Sequence, residues 1–253
     1  MRARLHQLLR IREEALTLSA FPPGRRPGLV AFDLDGTLVD SIGDIARSAN
    51  EALVERFGPS AELPVEVVKG FVGGGARLLI ERCLAAIGEP PAGVDPVFER
   101  FLPLYRARLV ETTRLFDGLF EALGVIECHA TLAVLTNKPG DMSRSIVDAL
   151  GLRGRFLDVI GGDDLATRKP DPEGLRLLAT KAGVPIERVA LVGDSAIDVR
   201  TAQAADALSI GVLWGYDREG LLAAKPDLVV DTPAALTRLF DAAHAVTRPE
   251  GRT

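Results

Sequence analysis

Leu29-Val30-Ala31-Phe32-Asp33-Leu34-Asp35-Gly36-Thr37 passes from a four-residue apolar run into two carboxylates and a glycine. The apolar run reads as a strand buried on both faces. Asp33 and Asp35 follow at its end. Residues two apart face one side of an extended chain, so the two carboxylates are expected to converge. Gly36 permits a sharp departure of the backbone. An Asp-x-Asp after a strand can also be no more than a solvated turn or a helix cap, so its meaning depends on the rest of the chain.

Working outward, comparable strands are expected at Thr131–Thr136, Phe156–Ile160, Val189–Val192 and Ser209–Leu213, with a last candidate at Asp227–Val230. Helical patterns separate them near 139–150, 172–183, 197–205 and 233–245. Alternating strands and helices predict an α/β fold, a Rossmann-like doubly wound parallel sheet with helices on both faces. Ligand sites in such sheets lie beyond the carboxyl ends of the strands. Residues 41–112 break the rhythm. They carry helix-like segments at 41–57, 76–87 and 95–110, punctuated by Gly58-Pro59, Gly73-Gly74-Gly75 and Pro90-Pro91. This predicts a small α-helical cap domain over the end of the first strand. The core would then comprise 29–40 and 113–245. Residues 1–20 carry loosely helical apolar spacing, and Phe21 to Gly28 is a Pro/Gly linker. Residues 1–28 read as an appendage, docked on the body or on a partner subunit, or disordered. Residues 246–253 read as a tail.

Composition narrows the function classes. The chain has 253 residues, 47% apolar and 26% charged, with a formal net charge of −5 and a pI near 5.4. A mildly acidic protein without a basic run is not built for the nucleic-acid backbone. No window approaches the ~18 uninterrupted apolar residues of a membrane span. Arg10, Arg12, Glu13 and Glu14 interrupt the N-terminal apolar positions, against a secretory signal. Cys83 and Cys128 have no metal or disulfide spacing, and each reads as a small buried hydrophobe. A cytoplasmic protein, monomer or homodimer, is expected.

Four polar clusters sit at strand ends or helix starts: Asp33-Leu34-Asp35-Gly36-Thr37, Thr136-Asn137-Lys138, Lys169-Pro170-Asp171-Pro172, and Gly193-Asp194-Ser195 with Asp198 a turn later. A parallel sheet would gather Asp33, Asp35, Asp194 and Asp198 at one edge. Two like charges ~4 Å apart repel by roughly 4 kcal/mol at an effective dielectric of 20. A hard divalent cation relieves this, and Mg²⁺ suits a few carboxylates together with a substrate phosphate. Lys169 supplies a fixed positive charge. Thr136 and the amide of Asn137 can donate hydrogen bonds to the same phosphate.

As a set, DLDGTLVDS at 33–41, Thr136-Asn137-Lys138, Lys169-Pro170 and GDSAID at 193–198 resemble the four motifs of the haloacid dehalogenase superfamily. The likeness is to its phosphatase branch with a helical cap after the first strand, and it covers residues 29 to about 231. The resemblance implies that Asp33 is the nucleophile and forms an aspartyl phosphate. Asp35 would be the acid/base, and Lys169 would stabilise Asp33 and the transferring group. It implies Mg²⁺ on Asp33, Asp194 and the backbone carbonyl of Asp35, with Asp198 behind it, and phosphate on Thr136 and Asn137. The acid at position 35 argues for phosphoryl transfer over dehalogenation.

Lys69-Gly70-Phe71-Val72-Gly73-Gly74-Gly75-Ala76 and Gly211–Tyr216 are similar to segments of the phosphoglycolate phosphatase group. Gly73 and Gly74 would present backbone N–H groups to a small anionic substrate at a helix start. The glycines are also what a flexible helix connection would need. The expected partner is a small phosphorylated metabolite, with 2-phosphoglycolate leading. The alternatives are a phosphosugar mutase of the β-phosphoglucomutase type, or a phosphatase for a phosphosugar, nucleotide or pyrophosphate. Asp206 stands where many relatives turn with Gly, Asp117 stands where Pro is usual, and residues 1–28 have no counterpart in the family pattern.

Overall fold

A computed structural model of the chain describes residues 21–245. The helix expected over 1–20 and the tail at 246–253 lie outside the described residues. Six parallel strands form the central sheet: β1 (Leu29–Phe32), β4 (Thr131–Leu135), β5 (Phe156–Ile160), β6 (Val189–Gly193), β7 (Leu208–Val212) and β8 (Leu228–Val230), in the order β5-β4-β1-β6-β7-β8. The sheet is parallel throughout, with Leu29 opposite both Thr131 and Val189. Winding runs from β1 to β4 and β5, then resumes on the other side at β6. The direction therefore reverses between β1 and β6, where open α/β sheets place their ligands.

Strand β1 is buried on both faces because alternate residues feed two cores. Val30 and Phe32 join one cluster with Val134, Val192, Ile210 and helices α5 (Leu119–Glu127), α6 (Gly140–Ala149) and α10 (Pro233–Ala245). Leu29 and Ala31 join the opposite cluster with α7 (Glu173–Ala182) and α8 (Ala196–Ala205). The period of two explains why the strand shows no polar alternation. Truncating fully buried Phe32 to Ala would cost about 3–5 kcal/mol.

Between β1 and β4 the chain builds α1 (Ile42–Phe57), α2 (Val65–Lys69), α3 (Ala76–Ala86) and α4 (Val94–Ala107). These helices enclose a third cluster. Ile45, Ala49 and Leu53, then Ile80 and Leu84, then Val97, Phe101 and Tyr105 recur at helical spacing, and Met142 of α6 joins them. Two short strands, β2 (Val39–Asp40) and β3 (Arg114–Leu115), pair antiparallel where the chain leaves the sheet and returns. Beside them the buried Asp44 carboxylate accepts bonds from the N–H and hydroxyl groups of Thr112 and Thr113, at 2.7–3.0 Å.

Several elements were not anticipated from sequence: α2, α5, the β2–β3 pair, and α9 (Arg218–Ala223). Each is short, and the two strands are defined only by a distant partner. Cys128 corrects an expectation. Cys83 is buried and its thiol is pushed up to about 12 by burial, but Cys128 caps α5 on the surface and is exposed. Among the described residues no helix is long and apolar enough to cross a membrane.

Candidate active site

The ladder of β1 runs one step past its last residue, as the Asp33 N–H donates to Val192 O at 2.9 Å. Asp33 is thereby fixed at the sheet edge, 4% exposed. The chain then folds back on itself, with the N–H groups of Leu38 and Val39 both donating to Leu34 O. Gly36 sits in this turn with φ +85°, and a Cβ there would stand 2.4 Å from Asp194 Oδ2. The glycine is required for both reasons.

Asp194 ends β6 next to β1. Thr37 Oγ1 donates to its Oδ1 at 3.1 Å and the Tyr216 N–H to its Oδ2 at 2.6 Å. Asp198 lies in the first turn of α8. Its Oδ2 accepts from the N–H and hydroxyl of Ser195, at 3.1 and 2.6 Å. Its Oδ1 accepts from Lys169 Nζ at 2.6 Å. The same ammonium stands 2.8 Å from Asp33 Oδ1.

One oxygen from each of Asp33, Asp194 and Asp198 lies within 4.8 Å of the others. Lys169 thus pairs with two of the three buried carboxylates, Asp33 and Asp198. Burial raises Asp33 to about 6, with the Lys169 charge opposing and Asp198 and Asp35 reinforcing the rise. Burial, then the Asp198 and Asp33 charges, raises Asp194 to about 8. Burial alone would lower Lys169, but Asp198 and Asp33 override it and hold it charged. Three buried carboxylates whose oxygens lie within 4.8 Å of one another form an all-oxygen donor set that fits a hard divalent cation such as Mg²⁺.

Asp35 corrects the expectation that four carboxylates converge. β1 ends at Phe32 and the chain turns back on Leu34 O, so Asp35 lies outside the strand and its side chain swings away from the other three. It accepts from Ser41 Oγ at 2.6 Å and from Lys138 Nζ at 2.8 and 2.9 Å. Lys138 also donates to the hydroxyl of Tyr105, a residue of α4.

Thr136 and Asn137 follow β4 and line a cleft with Asp33 and Asp35. The Asn137 side-chain NH₂ is committed to Gly73 O at 3.1 Å and Lys169 O at 3.0 Å, so its backbone N–H is the group left for an anion. Its Oδ1 is buried without a donor among the described residues, which calls for a bound water or a protonated ligand oxygen. Gly73 lines the cleft. Gly74 does not. It packs against Leu78, and Gly75 at the head of α3 takes its place. The cleft measures about 470 Å³ including its mouth, and the apolar Ile45, Val72, Leu79 and Phe101 also line it.

Sequence reasoning passed over Tyr105, and quoted Ser41 and Tyr216 only as members of family-like segments, with no role of their own. The Tyr216 hydroxyl donates to Asp40 Oδ1 at 2.9 Å and accepts from the Ser41 N–H at 2.8 Å. Lys138 was visible beside Asn137 but carried no expected role. Tyr105 sits one helical turn after Phe101, which reads as core packing.

A doubly wound sheet with a buried carboxylate cluster at its switch point, roofed by helices, defines a hydrolase-type α/β core. The family model described as haloacid dehalogenase-like hydrolase matches residues 30–212, and the chain belongs to that family. It is 37% identical over 212 residues to a phosphoglycolate phosphatase of Agrobacterium fabrum, covering 83% of this chain and 90% of the relative. It is also 37% identical over 217 residues to a phosphoglycolate phosphatase of Rhodospirillum rubrum, covering 83% and 89%. The crystal structure of a predicted phosphoglycolate phosphatase from Haemophilus somnus superposes with a TM-score of 0.76 at 29% identity, over 88% of this chain and 98% of that one.

Proposed function

We propose that this hydrolase is a Mg²⁺-dependent phosphatase that cleaves 2-phosphoglycolate to glycolate and phosphate. The observation that carries the reading is Asp33, buried at the sheet edge, open to the cleft and 2.8 Å from Lys169. Relatives bearing the phosphoglycolate phosphatase name support the substrate.

An Asp33 carboxylate oxygen attacks phosphorus, and the bond from phosphorus to the leaving oxygen breaks. Asp35 gives its proton to that oxygen, releasing glycolate. Asp35 then takes a proton from water as the water oxygen attacks the aspartyl phosphate. Phosphate leaves and the Asp33 carboxylate is restored. Lys169 holds Asp33 in line and offsets charge on the phosphoryl oxygens. Thr136 and the Asn137 N–H hold those oxygens by hydrogen bonds. Asp33, Asp194 and the Asp35 carbonyl would hold Mg²⁺, which when bound neutralises phosphate charge. Asp198 is ion-paired with Lys169 through Oδ1, whereas Asp194 accepts only from the neutral Thr37 hydroxyl and Tyr216 N–H, which suits Asp198 to a role behind the ligands.

The test is phosphate release with Mg²⁺ from a panel of 2-phosphoglycolate, phosphosugars, nucleotides and pyrophosphate. Asp33→Asn is expected to lower kcat by on the order of 10⁴-fold or more while the protein stays folded, because an amide cannot form the acyl phosphate. Appreciable turnover by that variant refutes the nucleophile. A phosphorylated product in place of free phosphate marks a mutase.

A further inference from the structure

Asp33, Asp35, Thr136 and Asn137 line the cleft together with the apolar Ile45, Val72, Leu79 and Phe101, and among these Lys138 meets Tyr105. Among the described residues that line the cleft, Lys138 is the only cation, and its side chain is 4% exposed. An ammonium has three N–H donors and no acceptor. Here two go to Asp35 and the third to the Tyr105 hydroxyl. Because lysine can only donate, the Tyr105 oxygen accepts, and the phenolic proton must find another acceptor. Among the described residues none takes it, although Tyr105 is 3% exposed. Burial first, then the nearby Asp35 charge, pushes the phenol well above its ordinary range, so the proton stays in place. A buried O–H aimed into a cleft without an acceptor points to a ligand oxygen.

We infer that Lys138 and Tyr105 form a second anion subsite, which takes a carboxylate carried on the leaving group of the phosphate ester. The inference rests on the phosphatase reading above. Asp35 cannot give the same oxygens to Lys138 and to the leaving oxygen. When it turns to the leaving oxygen it frees at least one Lys138 N–H, beside the unused Tyr105 O–H. Two donors and a positive charge then meet in the lining of the cleft. A neutral leaving group would strand that ammonium in a poorly solvated site. A carboxylate supplies its counter-charge and accepts both bonds. Lys138 directly follows Thr136 and Asn137, so one short peptide would read both ends of a short substrate.

The experiment compares kcat/KM for 2-phosphoglycolate and 2-hydroxyethyl phosphate, which puts CH₂OH where the carboxylate was. The wild type is expected to favour the carboxylate by about tenfold or more. Lys138→Met is expected to bring the ratio to within about threefold of one. Any effect passed through Asp35 falls on both esters and cancels in the ratio. Tyr105→Phe keeps the stack on Phe101, at 5.5 Å between ring centroids, and is expected to lower the ratio several-fold. A wild-type ratio near one, or a ratio that survives Lys138→Met, overturns the subsite. Should the Met variant not fold, the wild-type ratio and Tyr105→Phe decide. Turnover of both esters alike defeats the subsite alone, whereas turnover of no phosphate ester defeats the phosphatase reading beneath it.

Discussion

Asp194 and Asp33 carry the cost of their position in their protonation. Burial, with like charges added, raises them to about 8 and about 6. A carboxyl whose folded pKa exceeds its unfolded value stabilises the fold while it keeps its proton. That contribution is full below the ordinary carboxylate range near 4 and is lost as pH rises through about 6 and about 8. The melting temperature in EDTA is therefore expected to fall between about pH 5 and pH 8. Mg²⁺ should raise it more at the higher pH, where its ligands are already ionised. A flat profile in EDTA, or no response to Mg²⁺, would contradict the metal assignment. The sequence revealed these residues because each ends a readable strand or opens a helix. It did not reveal Asp35 turning aside to Lys138, because Lys138 lies 103 residues away and bonds it from another element. Tyr105 was equally hidden: a tyrosine on the apolar face of a helix gives no sign of where its hydroxyl points.

Among the elements, α1 and the return segment at 112–113 are joined by Asp44. Burial would raise this carboxyl, but the Thr112 and Thr113 donors outweigh it and hold it below its ordinary value. Its stabilisation is thus present above the unfolded value of 3.8 and lost as pH falls through the lower folded one. Asp44→Asn keeps one acceptor oxygen and is expected to cost about 2–3 kcal/mol near neutral pH, read from urea midpoints. The gap to wild type should narrow below about pH 4. A constant gap would refute the charge argument. Helix α8 ends on a residue other than glycine. Asp206 closes it in the left-handed region with φ +65°, where glycine is at ease. Asp206→Gly is expected to stabilise by about 0.5 kcal/mol, the relief of strain exceeding the added freedom of the unfolded chain. A loss of stability in denaturant titration would show that Asp206 is held by more than its backbone. The departure at 206 was legible in sequence as an exception, but its conformation was not.

Across the whole molecule, the linker at 21–28 is laced to the core. Phe21 packs edge-on against Phe240 of α10 at 4.9 Å, Arg25 donates to Asp206 O at 2.8 Å, and the Gly28 N–H donates to Arg188 O at 2.8 Å. Its breaker composition identified a linker but said nothing of this seating, which depends on residues from three distant elements. Phe21→Ala is expected to lower stability by about 1–2 kcal/mol and leave kcat/KM unchanged, since the contact lies away from the cleft. A change in kcat/KM would mean that this edge communicates with the site. The sheet was the most legible part of the fold, since most of its strands are short apolar runs between helical patterns. The roof was legible only as helices, because its seating on the core depends on single long-range contacts such as Asn137 to Gly73. The β2–β3 pair brings Val39 opposite Leu115 and Asp40 opposite Arg114. Paired strands lie about 5 Å apart, a gap that a two-residue hairpin turn closes. Everything from Ser41 to Thr113 therefore hangs from the sheet by a single doorway, and a shorter, longer or unrelated roof could be spliced there without shifting the register of one core strand.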